Sequence, residues 1–300
     1  MDKLALIVLN YNVYQETIAC VEQLLSLDGN FKIVIVDNQS SNDSFLVLKE
    51  QFKNNQNIAV ILADENGGYS KGNNLGCCYA IENYNSRYLG IINPDVRIND
   101  LKTLYHMINV MDKYKNCAVI GASMISGQKR YLPGASAWHI PSRHDIVLGL
   151  SLRYNGEEER NSTYEILEEG IAEVGCVHGS FFIAKTELFK RVGMFDENVY
   201  LYNEENILGI KCKKAGYKVL WSMNDYYYHN HNYTQRKALK NIVAIMRAKY
   251  QSRKYLLTQY YDKNIYDLLV LKLINWTNIL IVIAGNLKNY LMQIGAKNKN

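Results

Sequence analysis

Four groups of residues in this 300-residue chain are of types that do chemistry. Asp37 and Asp95 each follow a short apolar run, residues 31–36 and 88–92. Runs of that kind read as buried strands. Pro94 has no N–H for a sheet ladder, so pairing should stop there and leave Asp95 just past a strand end. Ligands of open α/β sheets bind at that edge, although an Asp there is also a common turn residue. Between the two acids lies Asn66-Gly67-Gly68-Tyr69-Ser70-Lys71-Gly72-Asn73-Asn74-Leu75-Gly76, which reads as an amide-rich loop entering a helix. Backbone N–H groups at a helix start cradle phosphate. A hard cation takes oxygen ligands, here Asp95 and a diphosphate. Together these suit a nucleoside diphosphate with a divalent cation. Glu204 and Glu205 open a helix, where the dipole alone favours acids; chemically, one of them is a candidate general base for a hydroxyl. His229 and His231 alternate and would share one face of a strand. That is a weak metal signal beside the ordinary partly buried histidine. The glycine-rich stretch is neither G-x-x-x-x-G-K-[ST] nor G-x-G-x-x-G, which disfavours a P-loop ATPase or a nicotinamide enzyme.

The elements that would position these groups alternate. Strands are predicted at 4–9, 31–36, 58–62, 88–92 and 118–121. Helices are predicted at 14–27, 45–52, from the glycine-rich stretch to Tyr84, and at 100–114. Such alternation makes βαβ units and a parallel sheet. Residues 142–170 are polar, with Glu157, Glu158 and Glu159 in a row, and read as a lid-like insertion or a solvated loop. Thr186 is placed to cap a helix. A helix over 203–215 should close at Gly216, followed by a strand at 217–221. Residues 237–260 form a basic helix. Residues 267–294 are apolar, interrupted by Lys272, Asn275, Asn278 and Asn286. Their longest uncharged span, 273–287, falls short of the ~20 residues that cross a bilayer, which points to an interfacial or subunit-contact helix. The net charge of +5 suits anionic small molecules or an acidic membrane surface and is too weak to argue for nucleic acid. Six scattered cysteines without a C-x-x-C pair give no zinc signal. With no signal-peptide pattern at the N-terminus, a reducing cytosol is expected.

In order, Ile7-Val8-Leu9-Asn10-Tyr11-Asn12, Val36-Asp37-Asn38-Gln39-Ser40-Ser41, the glycine-rich stretch, Asn93-Pro94-Asp95, Gly193-Met194-Phe195-Asp196-Glu197, Tyr200-Leu201-Tyr202-Asn203-Glu204-Glu205 and Lys214-Ala215-Gly216-Tyr217 resemble the family 2 inverting glycosyltransferases, most closely the bacterial polysaccharide and rhamnosyltransferase branch. The resemblance implies an α/β GT-A fold, a Rossmann-like and mostly parallel central sheet flanked by helices, with a C-terminal helical extension. It implies a transferase domain over 1–235, with a nucleotide-binding half to 121 and an acceptor half beyond, and a membrane- or subunit-contact region over 236–300. The nucleotide-sugar would be bound by Asn10, Asn12, Asp37, Asn66, Gly67, Lys71, Asn74, Asn93 and Asp95. Mg²⁺ or Mn²⁺ would sit at Asp95 with His229 or His231. Glu205 would be the base, with Glu204 beside it. Two positions depart from the family pattern: Asn93 replaces the first Asp of D-x-D, and Glu-Glu replaces Glu-Asp. The implied donor is dTDP-rhamnose or a UDP-hexose. The implied acceptor is a saccharide, lipid-linked at the inner membrane face, where the protein would be peripheral or dimerise through its C-terminal helices. The alternatives are a nucleotidyltransferase and a non-catalytic sugar-nucleotide-binding assembly protein.

Overall fold

The computed structural model describes residues 3–128, 130–151, 164–230 and 242–297. They form two compact units, one within Met1–Ile140 and Glu159–Tyr233, the other within Pro141–Glu158 and Thr234–Asn300. His231, residues 237–241 of the basic helix and residues 152–163 of the polar insertion lie outside the described residues.

In the first unit the Leu, Ile and Val runs form strands covered on both faces. The order is β1 (Leu4–Asn10), α1 (Tyr14–Leu25), β2 (Lys32–Asp37), α2 (Ser44–Phe52), β3 (Ile58–Leu62), α3 (Gly68–Tyr84) and β4 (Tyr88–Ile92). The strands pair in parallel as β3-β2-β1-β4. Alternate residues of β1 face opposite layers: Leu4, Leu6 and Val8 pack with Val21 and Leu24, whereas Ala5 and Ile7 pack with Cys77 and Ala80. The chain continues through β5 (Val96–Arg97), α4 (Leu101–Lys113), β6 (Cys117–Ser126), α5 (Pro133–Ser136) and β7 (Ala137–Trp138). After α6 (Arg143–Leu148), which belongs to the second unit, come β8 (Glu165–Glu168), β9 (Ile171–Val174), β10 (Cys176–Val177), β11 (Phe181–Lys185), α7 (Thr186–Arg191), α8 (Glu204–Lys214) and β12 (Lys218–His229). β11 runs antiparallel between β4 and β6, and β12 lies parallel to β6. The expected α/β sheet flanked by helices is present, with a mixed half beyond β4.

The structure corrects three sequence expectations. The glycine-rich stretch is not a loop, because α3 begins at Gly68. Its glycines let the helix lie close on the sheet. An added Cβ at Gly72 would sit 2.4 Å from Leu9 Cδ1, and one at Gly76 would sit 2.5 Å from Ile7 Cγ2 and 2.8 Å from Val36 Cγ2. Thr186 does not cap a helix; its hydroxyl donates to the Ser86 carbonyl at 2.8 Å. The strand expected at 217–221 runs on to His229, past an irregularity between Ser222 and Tyr226 that breaks its periodicity.

The second unit packs α6 with α9 (Ile242–Gln259) and α10 (Ile265–Lys297). Arg143 donates from Nε and Nη2 to Asp267 Oδ2 at 2.9 and 2.6 Å. Asn278 donates to the Leu150 carbonyl at 2.7 Å. The 20 residues Ile265–Ala284 are long and apolar enough to cross a membrane by length and composition. The sequence expectation of a shorter span stopped at Lys272, whereas the longer span takes in two charges, Asp267 and Lys272. α10 also turns its polarity inward. Asn275 and Asn278 are buried while Tyr266, Leu269, Leu273, Trp276 and Leu280 are exposed, and the Thr277 hydroxyl is satisfied by the Leu273 carbonyl.

Gly76→Ala tests the helix-on-sheet contact. Alanine gains about 1 kcal/mol of helix propensity, but its methyl meets two stiff β-branched side chains, and overpacking costs about 1–3 kcal/mol. A net loss of about 1–2 kcal/mol in urea unfolding is expected. A stabilised variant would show that the close approach is not limiting.

Candidate active site

The carboxyl edge of the parallel strands is polar and internally organised. Asn10 and Asp37 face each other in register, and both are fully buried. Asn10 Nδ2 donates to Asp37 Oδ2 at 2.7 Å, and the Ser40 hydroxyl and amide donate to the two carboxylate oxygens at 2.8 Å each. The Asn12 amide donates to Ser40 Oγ at 2.9 Å, and Asn12 Oδ1 accepts the Ser41 amide at 2.9 Å. Asn66 Oδ1 accepts from Asn38 Nδ2 at 3.0 Å and from the Gly68 amide at 3.2 Å. The next helix-start amide, Tyr69, donates to the Tyr200 carbonyl at 2.9 Å. Two of the first amides of α3, those of Gly68 and Tyr69, are therefore already engaged within the protein. Gly67 lies under Lys71, whose methylenes an added Cβ would meet at 2.5 Å. Lys71 itself pairs with Glu65 at 2.5 Å in an exposed position. Asn74 is spent on the turn before α8: it exchanges hydrogen bonds with the Phe195 backbone at 3.1 Å each way and donates to Glu197 at 2.9 Å. Neither Lys71 nor Asn74 joins the Asn10–Asp37–Ser40 group.

β4 ends before Pro94, as the sequence indicates, and Asp95 follows. Pairing of β5 with β12 sets His229 opposite Val96, which brings His229 Nε2 to 3.1 Å from Asp95 Oδ1. The imidazole is buried and the carboxylate side chain is 16% exposed. Among the described residues no group of three or more His, Cys, Asp or Glu is placed to hold a metal ion. One carboxylate and one imidazole on a shared point fit a cation that takes its remaining ligands from a diphosphate and water. The Asn93 amide is held by the Ser180 carbonyl at 2.9 Å.

Glu204 and Glu205 are delivered by two consecutive left-handed residues, Tyr202 (φ 73°) and Asn203 (φ 65°), a conformation non-glycine residues rarely adopt. Glu205 Oε1 accepts the Gly179 amide at 3.2 Å, and the Gly179 carbonyl accepts the Tyr69 hydroxyl at 2.5 Å. A Cβ at Gly179 would lie 2.8 Å from Glu205 Oε1, so only glycine permits this grip. Glu204 is buried, and its Oε2 has no hydrogen-bond partner. Burial, then the neighbouring Glu205 charge, pushes the Glu204 carboxyl well above the usual carboxylate range. Burial also raises Glu205, while the Gly179 amide opposes that rise. Glu205 keeps part of its surface open. Both carboxyls are raised, Glu204 the more strongly, and the Gly179 amide favours the charged form at Glu205 alone.

Residues 5–193 match the family model described as Glycosyl transferase family 2. The chain belongs to glycosyltransferase family 2. It is similar to the low-salt glycan biosynthesis hexosyltransferase Agl10 of Haloferax volcanii, at 25% identity over 68% of this chain and 60% of that protein. It is also similar to the rhamnosyltransferase WbbL of Escherichia coli K12, at 24% identity over 66% of this chain and 72% of that protein. The chain thus spans less than two thirds of the Haloferax relative. The first unit has the fold of GT-A glycosyltransferases. The crystal structure of GalNAc-T7 with UDP, GalNAc and Mn²⁺ aligns at a TM-score of 0.58, with 14% identity over 76% of this chain and 44% of that one. The mannosyltransferase PcManGT of Pyrobaculum calidifontis in complex with GDP-Man and Mn²⁺ aligns at 0.54, with 12% identity over 96% and 80%.

Several residues of this cluster were given no role by the sequence reading: Tyr69, His178, Gly179, Ser180, Ser40 and Asn38. Residues 174–184 are an apolar run broken by small residues, and that break is the sequence trace of the 178–180 turn.

The Glu204 environment has a pH signature. Its folded pKa is raised above the ordinary 4.5, so its contribution to stability is full below that value and declines as pH rises toward the folded pKa. Glutamine mimics the protonated form. Glu204→Gln is therefore expected to match wild-type stability near pH 4.5 and to exceed it increasingly above, by up to about 1.4 kcal/mol per pH unit. Urea midpoints at pH 5 and pH 8 check this; a pH-independent difference would contradict a protonated Glu204.

Proposed function

We propose that the protein is an inverting transferase that moves a hexosyl or rhamnosyl group from a nucleotide-diphosphate sugar to a saccharide hydroxyl. One observation carries the reading: Glu205, held by Gly179, and the Asp95–His229 pair flank the same short turn, residues 178–180. Glu205 removes the proton from the acceptor hydroxyl. The oxygen bonds to the anomeric carbon from the face opposite the diphosphate. The bond from that carbon to the leaving oxygen breaks, and the nucleoside diphosphate departs with the electron pair. Asp95 and His229 would hold Mg²⁺ or Mn²⁺, which neutralises charge on a leaving diphosphate; the Mn²⁺-bound sugar-nucleotide complexes of the structural relatives support that assignment. Asp37, Asn10, Asn12, Asn66 and Asn93 line the nucleotide side, and Asn38 and Ser40 join them. The donor class is dTDP-rhamnose or a UDP-hexose, in keeping with the hexosyl- and rhamnosyltransferase relatives.

Glu205→Gln keeps the shape and removes the proton acceptor. Transfer should fall ~10²-fold or more with donor affinity unchanged, measured by product formation and calorimetry across a panel of sugar nucleotides. Near-normal turnover would overturn the assignment of Glu205.

The second unit supports a lipid-linked acceptor at the cytoplasmic membrane face. The outer stripe of α10 is apolar while its asparagines turn inward, the reverse of a water-facing helix, and large exposed apolar patches mark contact surfaces. The bilayer surface is the occupant proposed here. Leu273→Gln with Trp276→Gln should abolish sedimentation with anionic vesicles. Retained sedimentation, or a change in oligomer size alone, would reject the bilayer in favour of another contact.

A further inference from the structure

The amino-terminal edge of the parallel strands, opposite the Asp37 and Asp95 edge, carries a cavity of about 700 Å³. Lys3 and Arg87 stand immediately before β1 and β4, and Lys185 ends the antiparallel β11, so the topology brings the three together. Backbone bonds fix them. The Arg87 and Tyr88 amides donate to the Lys3 carbonyl at 2.8 and 3.0 Å, and the Thr186 amide donates to the Arg87 carbonyl at 3.0 Å. Lys115, from the connection between α4 and β6, and Lys190 and Arg191, from α7, add their charges to the lining, where Glu187 is the single carboxylate. Two of these cations are paired: Arg191 with Glu187 and Arg87 with Asp112, each at 2.5 Å. Lys3, Lys115, Lys185 and Lys190 have no ion-pair partner among the described residues. Of these, Lys185 is buried. Its ammonium donates to the Met111 carbonyl at 2.6 Å and to the Lys115 carbonyl at 3.5 Å. One of its three N–H donors is left without an acceptor among the described residues. Burial pushes this ammonium below the ordinary lysine range, and an anion facing it from the cavity would oppose that shift.

We propose that this cavity binds an oligophosphate, a small anion with at least two linked phosphates. The four unneutralised lysines set the class. A single phosphate brings about −2 charge and would meet half of theirs, whereas two linked phosphates meet most of it. Lysine binds phosphate as a point charge, which suits a ligand selected by its charge. The volume lies in the range that holds a small molecule. The site is separate from the transferase edge, because the five residues of β11 that run between the two edges span about 16 Å. The ligand binds and leaves unchanged.

The test uses the full chain with inorganic pyrophosphate and inorganic phosphate as calorimetric probes. A chelator is present throughout, so that metal-dependent binding at Asp95 does not contribute. Pyrophosphate is expected to bind more tightly than phosphate and to weaken as ionic strength rises. Lys115→Glu with Lys190→Glu, both at exposed positions, should weaken pyrophosphate binding ~10²-fold while the urea midpoint stays at the wild-type value. Asp95→Asn, at the other edge, should leave pyrophosphate affinity unchanged. A short-chain phosphatidic acid, soluble as a monomer, is the comparison for a lipid headgroup. If it binds more tightly than pyrophosphate and is lost in the same double variant, a headgroup phosphate replaces the oligophosphate. Absence of pyrophosphate binding in the wild type, binding that the double variant retains, or binding that Asp95→Asn removes would overturn the proposal. None of these outcomes bears on the transferase reading.

Discussion

The site hangs on the backbone of a single residue, Gly179. Its N–H is held by Glu205 from α8, and its carbonyl by Tyr69 from α3. The neighbouring Ser180 carbonyl holds the amide of Asn93 at the end of β4. Three elements far apart in sequence are thereby pinned at one point, within reach of Asp95 and His229. A side chain at 179 would displace the carboxylate it grips. The placement of Glu205 therefore depends on the absence of an atom as much as on the presence of a donor.

The acids of the two poles illustrate how environment assigns roles to one functional group. Asp37 is buried completely, yet it accepts from Asn10 and twice from Ser40, so its charge is supported by donors. Glu204 is buried as well, but one of its oxygens has no partner, and a charge there is costly. Glu205 lies between these extremes, with one amide and some open surface. Two adjacent carboxyls in unequal surroundings are thereby raised to different extents.

Much of the nucleotide half was legible in the sequence because its signals are local. Doubly covered strands are continuous apolar runs, and Pro94 marks where one ends, so β1 to β4 and the position of Asp95 followed directly. The glycine-rich stretch was misread because composition reports that glycine is required without reporting why. Loop freedom and close helix packing call for the same residue, and here Gly72 and Gly76 serve packing. Lys71 and Asn74 entered as donor contacts through the resemblance alone, and in this structure Glu65 and the Phe195–Glu197 turn hold them. The role of the 178–180 turn was invisible for another reason. Its meaning comes from partners up to 110 positions away, and no period within the segment encodes them. The tail was underestimated by counting only uncharged residues, when the apolar span takes in Asp267 and Lys272.

The antiparallel insertion of β11 between β4 and β6 has a consequence for how the chain reaches this structure. β4 pairs with β1, already in place when the first 92 residues are present, but its other edge is covered by residues 181–185. Until those residues dock, the first four strands present an open, apolar ladder, the kind of edge that recruits other chains. Contacts of such long sequence separation also slow folding. The step that docks β11, and with it the 178–180 turn, is therefore the step that seals the sheet, and a chain interrupted before β11 would carry an open apolar edge on an aggregation-prone intermediate.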